Sequence, residues 1–428
     1  MRFRKLAVLD ALPFRCLEKM PGSRDADAIA IVGGGPAGTL AAATLAQADY
    51  KVFLFDEKLA WEKPCGGGLT HKALEHWPFL RQTVVDRNWV RECELIAPSG
   101  HRVLFPLGRP IAIFSRCVLN GLLLDWAARS GAEIIRDRIV ALERSANHWQ
   151  IRSPRSSWKA GYVVIAAGAR NPFRRRLCQP FAPQDLMITA GYYIPGRSAV
   201  MRIQFLADVY GYIWLFPRTD HLSAGICGRM QQNSAAKLRK ILERSLATFD
   251  LDYKNCEFFS HLLPSPRAAT LHGLAVSGDG WAMVGDAAGL VDPLTGEGLY
   301  YAMYSAELLS QALIHQEPDR YPDLLRQHFL PELELAAKMS DRFYTGRWMG
   351  ESVLERTVQF AAGSPSFRRL MSDLFDGTEP YLDARRRIYR TLPAMLCESL
   401  VSRFGDRAGR TASQPIARDE SPCTLRVG

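Results

Sequence analysis

The chain has 428 residues, 47% of them hydrophobic and 23% charged, with a formal net charge of +10. This length implies two domains rather than one, the balance is that of an ordinary globular enzyme, and no apolar run reaches bilayer-spanning length. The nine cysteines form no C-x-x-C pair and accompany no histidine cluster, which argues against any metal site and, the number being odd, for a reducing compartment, the cytoplasm.

Residues 1–27 begin with a basic stretch and a short apolar patch broken by Asp10 and Arg15. No small-residue cleavage site follows, so they read as an arm or extra helix rather than a signal peptide. Ala28 to Val32 has the length and composition of a buried parallel strand. It runs into Gly33-Gly34-Gly35-Pro36-Ala37-Gly38, a G-x-G-x-x-G that opens an alanine-rich helix. A second apolar strand, Lys51 to Phe55, ends at Asp56, 18 residues past Gly38. Gly33 permits the tight turn, Gly35 lets the backbone approach a pyrophosphate, and Gly38 lets the helix pack close to the strand. The helix that opens with Pro36 and Ala37 offers the free N–H groups of its N-terminus beyond the proline, and a partial positive charge, to phosphates. Asp56 is placed to accept hydrogen bonds from a ribose diol. Strand, glycine turn, helix and acid in register predict a dinucleotide site.

Val90 to Phe114 holds alternating strand-like segments and reads as an insertion, and Cys117 to Gly131 reads as a helix returning to the nucleotide domain. Gly161 to Gly168, GYVVIAAG, is another buried strand feeding a glycine turn. Asp185 to Met230 reads as antiparallel strands, Gly280 to Asp286 as a buried strand, and Leu299 to Ile314 as a helix. The remainder to about Phe404 is mostly helical, and residues 407–428 form a polar tail without periodicity, expected to be disordered. The fold class is therefore α/β: a Rossmann-like nucleotide-binding domain (28–80, 115–180 and 270–330) interleaved with a mixed, largely antiparallel-sheet substrate domain (81–114 and 181–269). A helical C-terminal region (331–406) follows.

Four further segments converge on chemistry. Lys63-Pro64-Cys65-Gly66-Gly67-Gly68-Leu69 follows the second nucleotide strand, and its glycines let backbone approach a flat ligand closely. Arg116 stands at a helix start, where a guanidinium meets a pyrophosphate or ribityl region. Tyr212-Ile213-Trp214-Leu215-Phe216-Pro217 is a strand with aromatics alternating on one face. Gly285 to Gly298, GDAAGLVDPLTGEG, puts Asp286 at a strand end, ahead of a proline- and glycine-rich loop and a helix start.

These residues carry a resemblance. From about Ala28 to Ile314 the chain resembles the geranylgeranyl reductase family of flavoproteins, within the larger group that shares the para-hydroxybenzoate hydroxylase fold. The dinucleotide fingerprint and GDAAG belong to the whole group; PCGGG-L and Y-x-W-x-F-P are more particular to the reductases. The resemblance implies that Gly33, Gly35, Pro36, Ala37, Gly38, Asp56, Gly66, Gly67, Arg116 and Asp286 hold FAD. It also implies that the turn from Pro293 through Gly296 to Gly298 sets backbone donors beside the flavin N1 and O2 atoms, where charge develops on reduction. Cys65 is then the catalytic candidate beside the isoalloxazine, and Tyr212, Trp214 and Phe216 line an apolar channel for a prenyl chain. Structural alternatives stand beside these roles: Cys65 as a small buried residue, Tyr212 and Trp214 as core aromatics, and Lys63 as a solvated surface lysine. In related flavoproteins the strand resembling GYVVIAAG continues as G-A-D-G; here Ala167 stands at the acid's position. NADPH is the default electron donor, with a ferredoxin or another carrier as the alternative that Ala167 raises.

The resemblance thus implies an FAD-dependent reductase of C=C bonds in a polyprenyl chain of an isoprenoid lipid. A flavin monooxygenase or halogenase on the same fold is the second reading, and a non-catalytic FAD electron carrier or lipid-binding protein the third. The basic surplus, in part Arg174 to Arg176 and Arg385 to Arg387, reads as solvated surface or as attraction to anionic headgroups. No motif points to nucleic acid. Leu396, Leu400 and Phe404 share a helical stripe that suits a core, or a peripheral contact with the inner face of the membrane.

Overall fold

The computed structural model describes residues 28–348 and 350–405. The arm at residues 1–27 and the tail from residue 407 onward lie outside the described residues. β1 (Ile29–Val32), α1 (Pro36–Gln47) and β2 (Val52–Phe55) form a strand–helix–strand unit whose two strands pair in parallel. All eight strand residues are buried, as befits a parallel sheet covered on both faces. α1 begins at Pro36 with no side-chain cap and no acid in its first turn. Gly38 sits under the strand: a Cβ there would lie 1.9 Å from the Gly33 carbonyl oxygen.

The chain then crosses to a second sheet. β3 (Gly68–Leu69) pairs with the far end of β5 (Arg102–Ile113), after α2 (His71–His76) and β4 (Asn88–Ile96) have intervened. It returns through α3 (Arg116–Arg129) to β6 (Glu133–Ile135), which pairs with β2. A small antiparallel meander, β7 (Ala141–Arg144), β8 (Trp149–Arg152) and β9 (Ser157–Ala160), precedes β10 (Tyr162–Ile165), which closes on β1. The meander has no counterpart among the elements expected from sequence. The nucleotide sheet is completed by β16 (Ser277–Gly278) and β17 (Trp281–Met283), in the order β16-β17-β10-β1-β2-β6.

The second sheet gathers β11 (Leu186–Pro195), β12 (Val200–Phe205), β13 (Tyr212–Pro217), β14 (His221–Arg229) and β15 (Phe258–Pro264). Its order is β15-β11-β14-β13-β12-β4-β5-β3, antiparallel throughout except for the parallel β12–β4 pair. One face packs on α4 (Ala235–Thr248) through Leu238, Leu242 and Leu246. The other face, with Met201, Ile203 and Trp214, packs with Tyr344, Leu354 and Val358 of the C-terminal helical region. α5 (Leu299–Ile314) then packs on α1.

The C-terminal helices are α6 (Leu330–Thr345), α7 (Val353–Gly363), α8 (Pro365–Phe375) and α9 (Tyr381–Gly405). α7 and α8 pack on β5. Met395 of α9 is buried with Leu370 and Ala384, while Leu396 is half-buried. The side chains of Leu400 and Phe404 lie outside the described residues.

Candidate active site

A cavity of about 970 Å³ opens between the two sheets and the C-terminal helices, at the upper end of the ~300–1,000 Å³ usual for ligand clefts. Its nucleotide end is formed by Gly35, Pro36 and Ala37 at the start of α1, with Arg116 and Asp286 opposite. A Cβ on Gly35 would meet nothing within 4 Å, so the backbone there faces open space. Gly33 and Gly38 lie behind this surface and shape it. Gly33 has φ +116°, and a Cβ there would fall 2.3 Å from the Ala166 carbonyl oxygen, so only glycine fits.

Asp56 has a task of its own. Its carboxylate accepts hydrogen bonds from the backbone N–H groups of Gly34, at 2.7 Å, and of Lys58 and Leu59, at 2.7 and 2.8 Å. It ties the glycine turn to the loop after β2 and is not on the cavity wall.

Cys65, Gly66 and Gly67 line the middle of the cavity. The loop is held from beneath by a fully buried cation. Arg218 at the end of β13 donates from Nη2 to the Cys65 carbonyl at 2.8 Å, and Ser223 Oγ donates to the same oxygen at 2.9 Å. Arg218 also pairs with Glu62, which accepts from Ser115 Oγ and from the Arg116 N–H at 2.9 Å. Burial raises the Glu62 pKa, but Arg218 and these donors pull harder and leave it below the usual value. One carboxylate thus couples the start of α3, where Arg116 sits, to the cysteine loop. Phe216 lies against that loop; a Cβ on Gly66 would come 2.6 Å from its ring.

Arg116 is buried, and its guanidinium makes one hydrogen bond among the described residues, from Nη2 to Asn120 at 3.2 Å; its Nε is buried without a partner. His261 Nε2 is likewise buried and unpaired on the cavity wall. Burial, then Lys63, hold this imidazole neutral by lowering its pKa to about 3. Two orphaned polar groups facing one cavity beside an uncapped helix start suit a large anionic, hydrogen-bonding ligand. The residues present therefore fit FAD.

Lys63 departs from its sequence reading as a solvated surface lysine. Its ammonium pairs with Asp286 at 3.0 Å, with side-chain exposures of 21% and 14%. Burial raises the Asp286 pKa, and Lys63, together with His261 and Arg116, more than offsets this, leaving it below the usual carboxylate value.

The substrate end carries the alternating aromatics. Tyr212, Trp214 and Phe216 all line the cavity with Met201 and Ile203, while Ile213 and Leu215 point into the opposite core. Trp214 Nε1 donates to Ser223 Oγ at 3.2 Å, and Tyr212 Oη donates to the Thr295 carbonyl at 2.5 Å.

The turn from Pro293 to Gly298 is pinned by three tyrosines. Besides Tyr212, Tyr344 donates to the Leu294 carbonyl at 2.7 Å, and Tyr381 at the start of α9 donates to Asp292. Pro293 itself is buried behind the wall, whereas Gly296 and Gly298 face the cavity. Sequence reasoning missed the acid between these glycines. Glu297 lines the cavity and accepts from Thr70 Oγ1 at 2.9 Å. Burial, together with the nearby Asp292 carboxylate, pushes its pKa up to about 7 against the pull of Thr70 and Lys72. The hint in the sequence was an acid inside a glycine turn already assigned to a ligand.

Comparison with known proteins follows this geometry. Residues 27–177 match the family described as pyridine nucleotide-disulphide oxidoreductase. The chain is 27% identical to geranylgeranyl diphosphate reductase of Synechocystis over 67% of its own length and 75% of that protein's. It is 28% identical to digeranylgeranylglycerophospholipid reductase of Methanoculleus marisnigri over 66% of its length and 75% of that protein's. A geranylgeranyl bacteriochlorophyll reductase-like structure from Thermoplasma acidophilum superposes with a TM-score of 0.69 at 18% identity, covering 85% of this chain and 98% of the other. The structure of the flavin-dependent brominase Bmp2 gives 0.64 at 15% identity, covering 82% and 93%. The chain is thus similar in sequence to the geranylgeranyl reductases, and its fold is that of the FAD-dependent oxidoreductases.

Proposed function

We propose that the protein is an FAD-dependent reductase of C=C bonds in a polyprenyl chain of a lipid. The carrying observation is the cavity itself, which joins an uncapped helix start and the buried, unpartnered Nε of Arg116 to an apolar wall of Tyr212, Trp214 and Phe216. FAD, when bound, supplies a hydride to one alkene carbon. In this reading Gly35, Ala37 and Arg116 hold the diphosphate, and Asp286 takes a ribityl hydroxyl. Gly66, Gly67, Gly296 and Gly298 give the ring close backbone approach. The aromatic wall orients a substrate that offers mostly hydrocarbon area, at ~25 cal/mol per Å² buried. An unactivated alkene accepts hydride poorly, so orientation in a dry slot supplies much of the rate. Cys65 faces the same space, and its replacement by alanine with FAD retained tests whether its thiol takes part.

NADPH is the proposed electron donor; Ala167, standing where related flavoproteins carry an acid, favours a ferredoxin as the second. Anaerobic mixing of the oxidised protein with each donor, followed by flavin absorbance, decides between them. We also propose peripheral contact with a membrane holding the lipid; among the described residues no helix is long and apolar enough to cross one. Absence of flotation with anionic liposomes would end that part.

The test of function is anaerobic incubation of dithionite-reduced protein with prenyl lipids, read by mass spectrometry for gains of two hydrogens. The likeness in fold to a flavin-dependent brominase supports a second reading, a monooxygenase or halogenase. Product that forms only under air, with oxygen or halogen added, would establish it and remove the reductase.

A further inference from the structure

The reaction proposed above consumes a proton as well as a hydride, and the cavity holds several acids that differ in how they are engaged. Asp286 is ion-paired with Lys63. Asp292 accepts from four donors: Tyr381 Oη, Thr295 Oγ1 and the N–H groups of Leu294 and Thr295. Glu332 accepts from the Tyr381 N–H at 2.7 Å, Glu379 pairs with Arg387, and Glu75 pairs with the exposed Arg81. Glu297, like Glu332, has one hydrogen-bond donor to its carboxyl among the described residues, here the Thr70 hydroxyl; of the two, only Glu297 lies on the glycine turn.

Its position is also distinctive. Glu297 lies between Gly296 and Gly298 on the turn that faces the cavity, and Thr70, five residues beyond Cys65, caps the start of α2 just after the triple glycine. The Thr70–Glu297 bond therefore joins the two loops that border the middle of the cavity. Tyr212, whose ring belongs to the aromatic wall, is bonded to Thr295 two residues earlier.

Resting on the reductase reading, we propose that the Glu297 carboxyl is the proton source for the alkene carbon opposite the hydride. The π bond breaks. One new C–H bond takes a hydride, with both electrons, from the reduced flavin; the other takes the Glu297 proton. The carboxylate left behind regains a proton from solvent. Besides burial, the groups that set this proton's hold are Asp292 beside the turn and Lys72 on α2, with Thr70 bonded directly; Tyr300 and Tyr301 on α5 and Tyr381 on α9 also face the carboxyl, and Glu332 on α6 faces Lys72. Burial and Asp292 keep the acid form to about pH 7, so a carboxyl proton is present at neutral pH.

The experiment uses the full-length, flavin-loaded protein, reduced by dithionite, with geranylgeranyl diphosphate as probe. Wild type should lose rate as pH rises through about 7. Glu297→Gln, which keeps an acceptor for Thr70, should reoxidise by lipid ~100-fold or more slowly, with a flat pH profile, normal flavin content and unchanged reduction by dithionite. Glu297→Asp should recover part of the loss. Independently of turnover, a carboxyl band in difference infrared spectra should titrate near neutrality and vanish in Glu297→Gln. A Glu297→Gln protein as fast as wild type overturns the proposal, as does a carboxyl that ionises in the ordinary acidic range. A wild type that adds no hydrogen to any prenyl chain overturns the reductase reading, a distinct result that carries this proposal down with it.

Discussion

The two ends of the cavity are built by opposite strategies. At the nucleotide end, residues within one short stretch, Gly33 to Asp56, supply turn, helix start and loop tie, and backbone does most of the contacting. At the far end, Thr70, Asp292, Tyr344 and Tyr381 are tied by side-chain hydrogen bonds that bridge as many as 227 residues of chain. At Gly33 and Gly38 the first arrangement leaves no room even for a Cβ. The second depends on its polar partners being present.

Gly38→Val should be the most severe way to break the comparison. Even a Cβ lies 1.9 Å from the Gly33 carbonyl, and such overpacking costs about 3 kcal/mol or more. Little soluble, flavin-bearing protein is expected, and a yellow, stable Gly38→Val protein would refute the close packing. Arg218→Ala ranks next, because it leaves Glu62 and the Cys65 carbonyl short of a buried donor. A loss of ~3 kcal/mol in denaturant unfolding is expected, with Arg218→Lys only partly restoring it. Tyr381→Phe removes one donor from Asp292 while keeping the ring. It should cost ~1 kcal/mol and leave flavin content intact, which separates the far end from the nucleotide end.

A separate effect is a pH slope. The Glu297 pKa is raised from 4.5 to about 7 on folding. Its protonated form therefore favours the folded state: that contribution is full below about pH 4.5 and is lost as pH rises through about 7. Melting temperatures of wild type should fall over this window more steeply than those of Glu297→Gln. Equal slopes would mean that the Glu297 carboxyl is solvated.

Legibility in the sequence follows the same division. β1, α1, β2, β10 and α5 were readable because each is signalled by contiguous apolar residues and nearby glycines; the α5 limits, Leu299 and Ile314, coincide with the sequence reading. The β7–β9 meander was missed because its strands are four residues long and carry only one or two buried residues each, among charged and polar ones, so neither period nor hydrophobicity marks them. Cys65, Tyr212, Trp214 and Phe216 do share one cavity with Arg116 and Asp286, as their motifs suggested. Lys63 was misread because nothing local marks its partner, which lies 223 residues away. Glu297 was passed over for a related reason: its hydrogen-bond partner, Thr70, lies 227 residues away in the sequence.

The bond from Tyr381 to Asp292 makes the last helix part of the wall rather than an appendage. A protease that nicked the peptide between α8 and α9 would strip a donor from a buried carboxylate and breach the oily compartment in a single cut. Limited digestion, followed by colour and by melting curves, would therefore expose the cavity's sealing as a property of the chain's far end.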